Sequence, residues 1–241
     1  MNLLVNTKHR SEQNEIMDDL NYNGPILHDA LDKLAKINQW LGGNKVTING
    51  LKKVLKNHPK NEVITIIDLG CGGGDILRDI SEFGKRNGYR FHLIGIDANQ
   101  HTVDYANSLS VTYDNIDFKA IDIFSERFNE LNYDLVLTTL FLHHFKERVL
   151  LSFLKPVLEK AKFGIVVNDL HRHKLAYYLF KLLCTTIKNK TIIEDGLTSV
   201  LRGFKRKELI EMAQQLHTNY QIQWKWAFRF QWILKHKKYE C

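Results

Sequence analysis

The sequence predicts a doubly wound, mostly parallel α/β sheet with a helical N-terminal extension and a C-terminal antiparallel hairpin. Three observations carry this. Between Glu62 and Asp169 short apolar runs alternate with amphipathic stretches, the pattern of strand–helix–strand crossovers. One junction, Gly70-Cys71-Gly72-Gly73-Gly74, is a glycine loop between an apolar run and a helical one. Near the end, Tyr220, Ile222, Trp224, Trp226, Phe228, Phe230 and Trp232 alternate with polar residues, which is the period of a strand pair.

Residues 1–60 read as a helical extension or lid, and 61–241 as the main domain. Pro25 suits the first position of a helix, and Ile26, Leu27, Ala30, Leu31, Leu34, Ile37 and Leu41 keep its period up to Gly42-Gly43. A second amphipathic segment, Val46 to Leu55, stops before Pro59. EVITIID is the first strand, GGDILRDISEFGKRN a helix closed by Gly88, and RFHLIGID the second strand. QHTVDYANSL is helical, NIDFKAID and YDLVLTT are strands, KERVLLSFLKPVLEK is a helix and KFGIVVND the fifth strand. A helix near Lys205–Leu216 precedes the hairpin, whose strands meet near Ala227.

The 241 residues are 44% hydrophobic and 25% charged with 3 prolines, a globular balance and not a disordered one. Leu175–Ile187 is the most apolar stretch, yet it is short of the roughly 18 residues a membrane span needs and carries Lys181. Cys71, Cys184 and Cys241 are odd in number and scattered, so no disulfide framework is expected. The start, MNLLVNTKHRSEQ, lacks the apolar core of a secretory signal. These features predict a soluble, cytoplasmic, single-domain protein. The formal charge of +7 leaves a nucleic-acid partner open.

Chemistry concentrates at Ile66-Ile67-Asp68-Leu69-Gly70-Cys71-Gly72-Gly73-Gly74-Asp75. The sixth position of a dinucleotide fingerprint is here Asp75, and no Gly-Lys-Ser/Thr follows to make a phosphate loop. The acid at Asp68 suits a ligand that carries positive charge. This segment resembles motif I of the class I S-adenosylmethionine-dependent methyltransferases. Asp97, Asp122-Ile123 and YDLVLTTLFLHHF resemble the later motifs in order. The resemblance implies a seven-stranded Rossmann-like methyltransferase fold with S-adenosylmethionine as cofactor. It implies that Asp68 holds the ammonium, that backbone amides of Gly70–Gly74 receive the carboxylate, that Asp97 and Ala98 meet the ribose, and that Asp122 and Ile123 read the adenine. Gly70, Cys71, Gly72, Gly74, Thr138 and Leu140 complete the expected cofactor set, with Cys71 a packing residue and no nucleophile.

Two clusters stand at the expected methyl position, His143-His144 and Asp169-Leu170-His171-Arg172-His173. The resemblance implies that His143 or His144, with Asp169, activates or orients the acceptor, although a histidine there also serves only to brace the loop. The fragments EIMDD, LAKINQWLGG, NDLHRHKLAYY and DGLTSVLRGF resemble a bacterial subgroup of type-11-like small-molecule methyltransferases. That implies O-methylation of a phenolic, quinone-like or lipid-like small molecule, with His171, Arg172, Tyr178 and Arg202 at the substrate. Leu175–Ile187 either lines that pocket or packs on the sheet. No metal is expected, and the chain is expected to be a monomer or homodimer. The aromatic hairpin either forms a dimer edge or packs on its own helices. An RNA methyltransferase is the runner-up, resting on 34 Lys+Arg and the tail Lys235-His236-Lys237-Lys238. A protein that binds the cofactor without chemistry is the third reading.

Overall fold

A computed structural model describes residues 5–235. Within them lie α1 (Gly24–Trp40), α2 (Gly43–Val54), β1 (Val63–Leu69), α3 (Asp75–Asn87), β2 (Arg90–Asp97) and α4 (Gln100–Leu109). There follow β3 (Ile116–Ala120), α5 (Glu126–Asn129), β4 (Leu135–Thr139), α6 (Glu147–Lys160) and β5 (Gly164–Leu170). The chain continues with α7 (Lys174–Leu183), α8 (Lys190–Arg202), α9 (Arg206–Gln215), β6 (Asn219–Lys225) and β7 (Arg229–Lys235). The described residues form one seven-stranded sheet in the order β3-β2-β1-β4-β5-β7-β6. Pairing is parallel from β3 to β5, and β7 runs antiparallel to both β5 and β6.

The central strands are apolar because they are covered on both faces. Ile66 and Ile67 point to opposite sides of β1 and are both fully buried. Each such side chain contributes about 1.5–3 kcal/mol. On one side Ile67, Val136, Ile165 and Trp232 pack under α6 and α9; on the other Ile66, Leu135, Val166 and Ile233 pack under α2 and α3. The chain order reverses between β1 and β4, and an open α/β sheet binds ligands at the carboxyl edge of such a reversal.

The expected doubly wound sheet and its hairpin are therefore present. The hairpin divides its aromatics, with Ile222, Phe230 and Trp232 in the core and Trp224 and Trp226 exposed. A further helix, α8, occupies 190–202, where the sequence offers no clear period because Gly196 interrupts it. That glycine admits the Phe180 ring, which a Cβ would approach to 2.3 Å. Leu175–Ile187 does not lie on the sheet; α7 packs on α8 and turns Ala176, Phe180 and Leu183 towards a cavity. Residues 5–23 run as a strap containing a short 3-10 turn, Ile16–Asp18, which docks on α8. His236 to Lys238 of the basic tail, and Cys241, lie outside the described residues.

Candidate active site

A cavity of about 1110 Å³ opens above the carboxyl edge. Its walls are largely apolar, with Leu27, Leu31, Leu34, Leu41, Leu179 and Phe180 among them. Polar groups enter from the strand ends and from the strap.

The glycine loop forms because Gly70, Gly72 and Gly74 take φ of +68°, +51° and +74°. At Gly70 the neighbour also leaves no room, since a Cβ would lie 2.2 Å from the Phe141 ring. Gly70→Ala is expected to cost about 1–2 kcal/mol for the backbone alone. It is also expected to displace Phe141 into the cavity, so the urea midpoint and the affinity for S-adenosylhomocysteine both fall.

Asp68, at the end of β1, is buried with Oδ1 unpartnered and faces the cavity. Burial, reinforced by Asp75 and Asp97, lifts its carboxyl well above the usual range, so it lacks a cation. Asp97 accepts from the Asn99 amide at 3.0 Å and from the Gly72 amide at 3.3 Å, which ties the two cofactor motifs together. Burial raises its pKa against those two donors. Each of its oxygens keeps a lone pair, enough for two vicinal hydroxyls. The cap of α4 is Asn99, whose Oδ1 accepts from His101 and Thr102, so Asp97 is not spent on capping. Asp122 and Ile123 also line the cavity, and Asp122 Oδ1 accepts the Phe124 amide in a local turn.

The amides of the loop are already engaged. Gly70 and Cys71 donate to the Ile96 carbonyl, Gly72 to Asp97, and Gly74 to the Cys71 carbonyl. The expected reception of a carboxylate by Gly70–Gly74 therefore has few donors left. Gly74 stands back at the start of α3, away from the cavity wall. Thr138 is a correction of the same kind. It is buried inside β4, and Thr139 and Leu140 face the cavity in its place. Successive residues of a strand face opposite ways, so a step of one moves the contact.

At the acceptor side the structure joins His143 to Asp169, as expected, and adds Glu15 from the strap. His143 Nδ1 bonds Asp169 Oδ1 at 2.7 Å, and its Nε2 faces Glu15 Oε1 at 3.6 Å. Those two facing atoms, His143 Nε2 and Glu15 Oε1, are buried and unpartnered. Burial pulls the His143 pKa down, but the Asp169 and Glu15 carboxylates outweigh it and push it up to about 9. Burial raises the Glu15 and Asp169 pKa values, and the neighbouring His143 and His144 more than reverse this, leaving both below the usual carboxylate range. His144 Nδ1 bonds Asp18 Oδ1 at 2.6 Å, with Nε2 3.9 Å from Glu15 Oε2. Among the described residues, Glu15, His143 and His144 are the one trio with ligand atoms close enough for a metal ion. Arg202 already brings a positive charge within 3.6 Å of Glu15 Oε1.

Arg202 lines the cavity, bonds Asp18 at 2.8 Å and donates to the His143 carbonyl at 3.2 Å. It holds the histidine turn to the strap. His171 reaches the cavity, and burial and the neighbouring His173 lower its pKa to about 4. Two expected substrate residues are elsewhere. Arg172 is fully buried behind the cavity, paired with Glu208 and donating to the carbonyls of Thr7, Lys8 and Gly203. Tyr178 turns outward, where its hydroxyl accepts the Val5 amide. His173 caps α7 by accepting from the Leu175 amide. Glu15, Asp18 and Arg229, unassigned from sequence, line the same cavity; the EIMDD fragment contains the first two.

A family profile described as a methyltransferase domain matches residues 60–238. The chain belongs to the methyltransferase domain family. The cofactor of such a domain is S-adenosylmethionine. A ubiquinone biosynthesis O-methyltransferase from Rickettsia bellii is 28% identical over 146 residues, 56% of this methyltransferase and 55% of that protein. A phosphoethanolamine N-methyltransferase from Plasmodium falciparum is 30% identical over 127 residues, 50% and 46% of the two chains. The chain thus spans about half the length of these curated relatives. A solved plantazolicin methyltransferase, BpumL in complex with SAH, superposes with a TM-score of 0.65 at 16% identity, covering 86% of this chain and 89% of that one. That likeness is one of fold. Among the described residues no helix is long and apolar enough to cross a membrane.

Proposed function

We propose that this methyltransferase transfers the methyl group of S-adenosylmethionine to a hydroxyl oxygen of a small aromatic or lipid-like acceptor. One observation carries the reading: the facing, unpartnered pair Glu15 Oε1 and His143 Nε2, held by Asp169, in an apolar cavity shared with Asp68 and Asp97. The bound cofactor supplies an electrophilic methyl with a very good leaving group. The chain contributes position, dryness and a place for one proton. A hydroxyl brought up to this pair meets the Glu15 carboxylate and the His143 imidazole. Its proton passes to this pair as the oxygen attacks, and Asp169 holds the ring in the tautomer that presents Nε2. Arg202 fixes the turn, and the strap within residues 1–60 covers the cavity. Apolar walls suit such an acceptor better than a polyanionic nucleic acid. Cys71 and Cys184 are free and buried, which suits a reducing compartment such as the cytoplasm.

Thermal-shift measurement with S-adenosylhomocysteine is the first test. At 100 times its dissociation constant it is expected to add about 2.7 kcal/mol to stability, and no stabilisation would sink the reading. Labelled methyl transfer is then expected to phenols or hydroxyquinones in a panel. Label incorporated only into RNA would replace the small-molecule acceptor with the runner-up.

A further inference from the structure

Arg229 opens β7 and is 3% exposed, yet its Nε and Nη1 have no hydrogen-bond partner. A buried guanidinium with two unpartnered nitrogens is costly unless something pairs with it. Asp169 is the carboxylate that bears on it electrostatically. Both oxygens of that carboxylate are taken, Oδ1 by the His143 ring and the Leu170 amide, Oδ2 by the His143 amide. Burial lowers the Arg229 pKa to about 10, so the group stays charged at neutral pH.

The guanidinium also lies at the start of a helix. A Cβ on Gly43 would sit 1.9 Å from Asn38 Oδ1 and 3.0 Å from Arg229 Cζ, so both side chains crowd this glycine. Gly43 is the first residue of the 12-residue α2, and no side chain caps that end. Asn38 and Arg229 face the same cavity. Asn38 donates to Asn44 and leaves its own Oδ1 unpartnered, ready to accept from a hydroxyl or ammonium.

We propose that Arg229, which lines the cavity next to Gly43, forms a carboxylate-binding subsite there, beside an acceptor atom on Asn38. The fork-shaped guanidinium donors are matched to a planar anion. The subsite deepens the proposed function and rests on its cofactor reading. Two ligands there bring a carboxylate. One is the cofactor, whose amino-acid end finds the Gly70–Gly74 amides largely engaged. The other is the methyl acceptor, which would then be an amphipathic acid.

Calorimetry on the full chain separates the sources. S-adenosylhomocysteine is titrated beside decarboxylated S-adenosylmethionine. Benzoate and decanoate are then compared with benzamide and decanamide on the S-adenosylhomocysteine complex. Arg229→Met and Arg229→Lys repeat the series. If the carboxylate is the cofactor's, Arg229→Met weakens S-adenosylhomocysteine tenfold or more and leaves the decarboxylated compound unchanged. If it is the acceptor's, Arg229→Met keeps the S-adenosylhomocysteine affinity and loses the preference for acid over amide. Arg229→Lys retains part of either effect, which separates lost charge from lost folding. A wild type that binds S-adenosylhomocysteine but tells no carboxylate from its neutral counterpart overturns the subsite. So does a folded Arg229→Met that matches the wild type throughout. A wild type that does not bind S-adenosylhomocysteine overturns the function instead.

Discussion

His143→Gln is expected to bind S-adenosylhomocysteine like the wild type and to lose about 10²–10⁴-fold in kcat/KM, the usual worth of a positioned proton acceptor. Glutamine keeps the bulk and a hydrogen bond to Asp169 but takes no proton. Full activity in this variant would remove the role assigned to the pair. The pH dependence gives an independent reading. With the His143 pKa pushed up to about 9 by Asp169 and Glu15, kcat/KM of the wild type is expected to climb with pH towards that value. The apparent value belongs to the coupled pair and not to one ring. Stability runs the other way. A histidine whose pKa is raised on folding contributes in full below its ordinary value near 6.5, and that contribution is lost as pH rises to about 9. Urea melts of the apoprotein should therefore weaken from neutral to alkaline pH, and His143→Gln should flatten the trend.

Arg172→Met is expected to be the most damaging change outside the cavity, on the order of 3 kcal/mol. Its side chain is fully buried, and removing it strands Glu208 and the carbonyls of Thr7, Lys8 and Gly203. Glu208 is partly exposed, so part of its charge is screened. Arg172→Lys should rescue little, because one ammonium cannot satisfy acceptors spread around a planar fork. The urea midpoint measures the loss. The fraction still folded should bind S-adenosylhomocysteine with unchanged affinity, and weakened binding there would return Arg172 to the substrate.

Legibility followed locality. Asp68, Asp97 and Asp122 reach the cavity because each ends or follows an apolar run, and the end of a parallel strand delivers a side chain to that edge. Thr138 shows the limit, since period two leaves open which threonine of the pair faces the ligand. Arg172 and Tyr178 sit in a segment whose position was clear but whose neighbours were not. Thr7 and Val5 come from the other end of the chain and take those polar groups. Glu15 had no signal of its own, because the strap has no period and its partners are set by docking. Arg229 was hidden as one polar position in an alternating hairpin.

The strap's bonds have a further consequence. Arg10 reaches the carbonyls of His143 and Arg202, the Ile16 and Met17 amides reach Asp195, and Glu15 receives Ser199. These contacts span 133 to 192 residues of sequence. Loops of that length are slow to close, and a chain emerges from synthesis N-terminus first. The strap is made before α8 and must wait for it before it can dock, so Glu15 comes to face His143 only after α8 is in place.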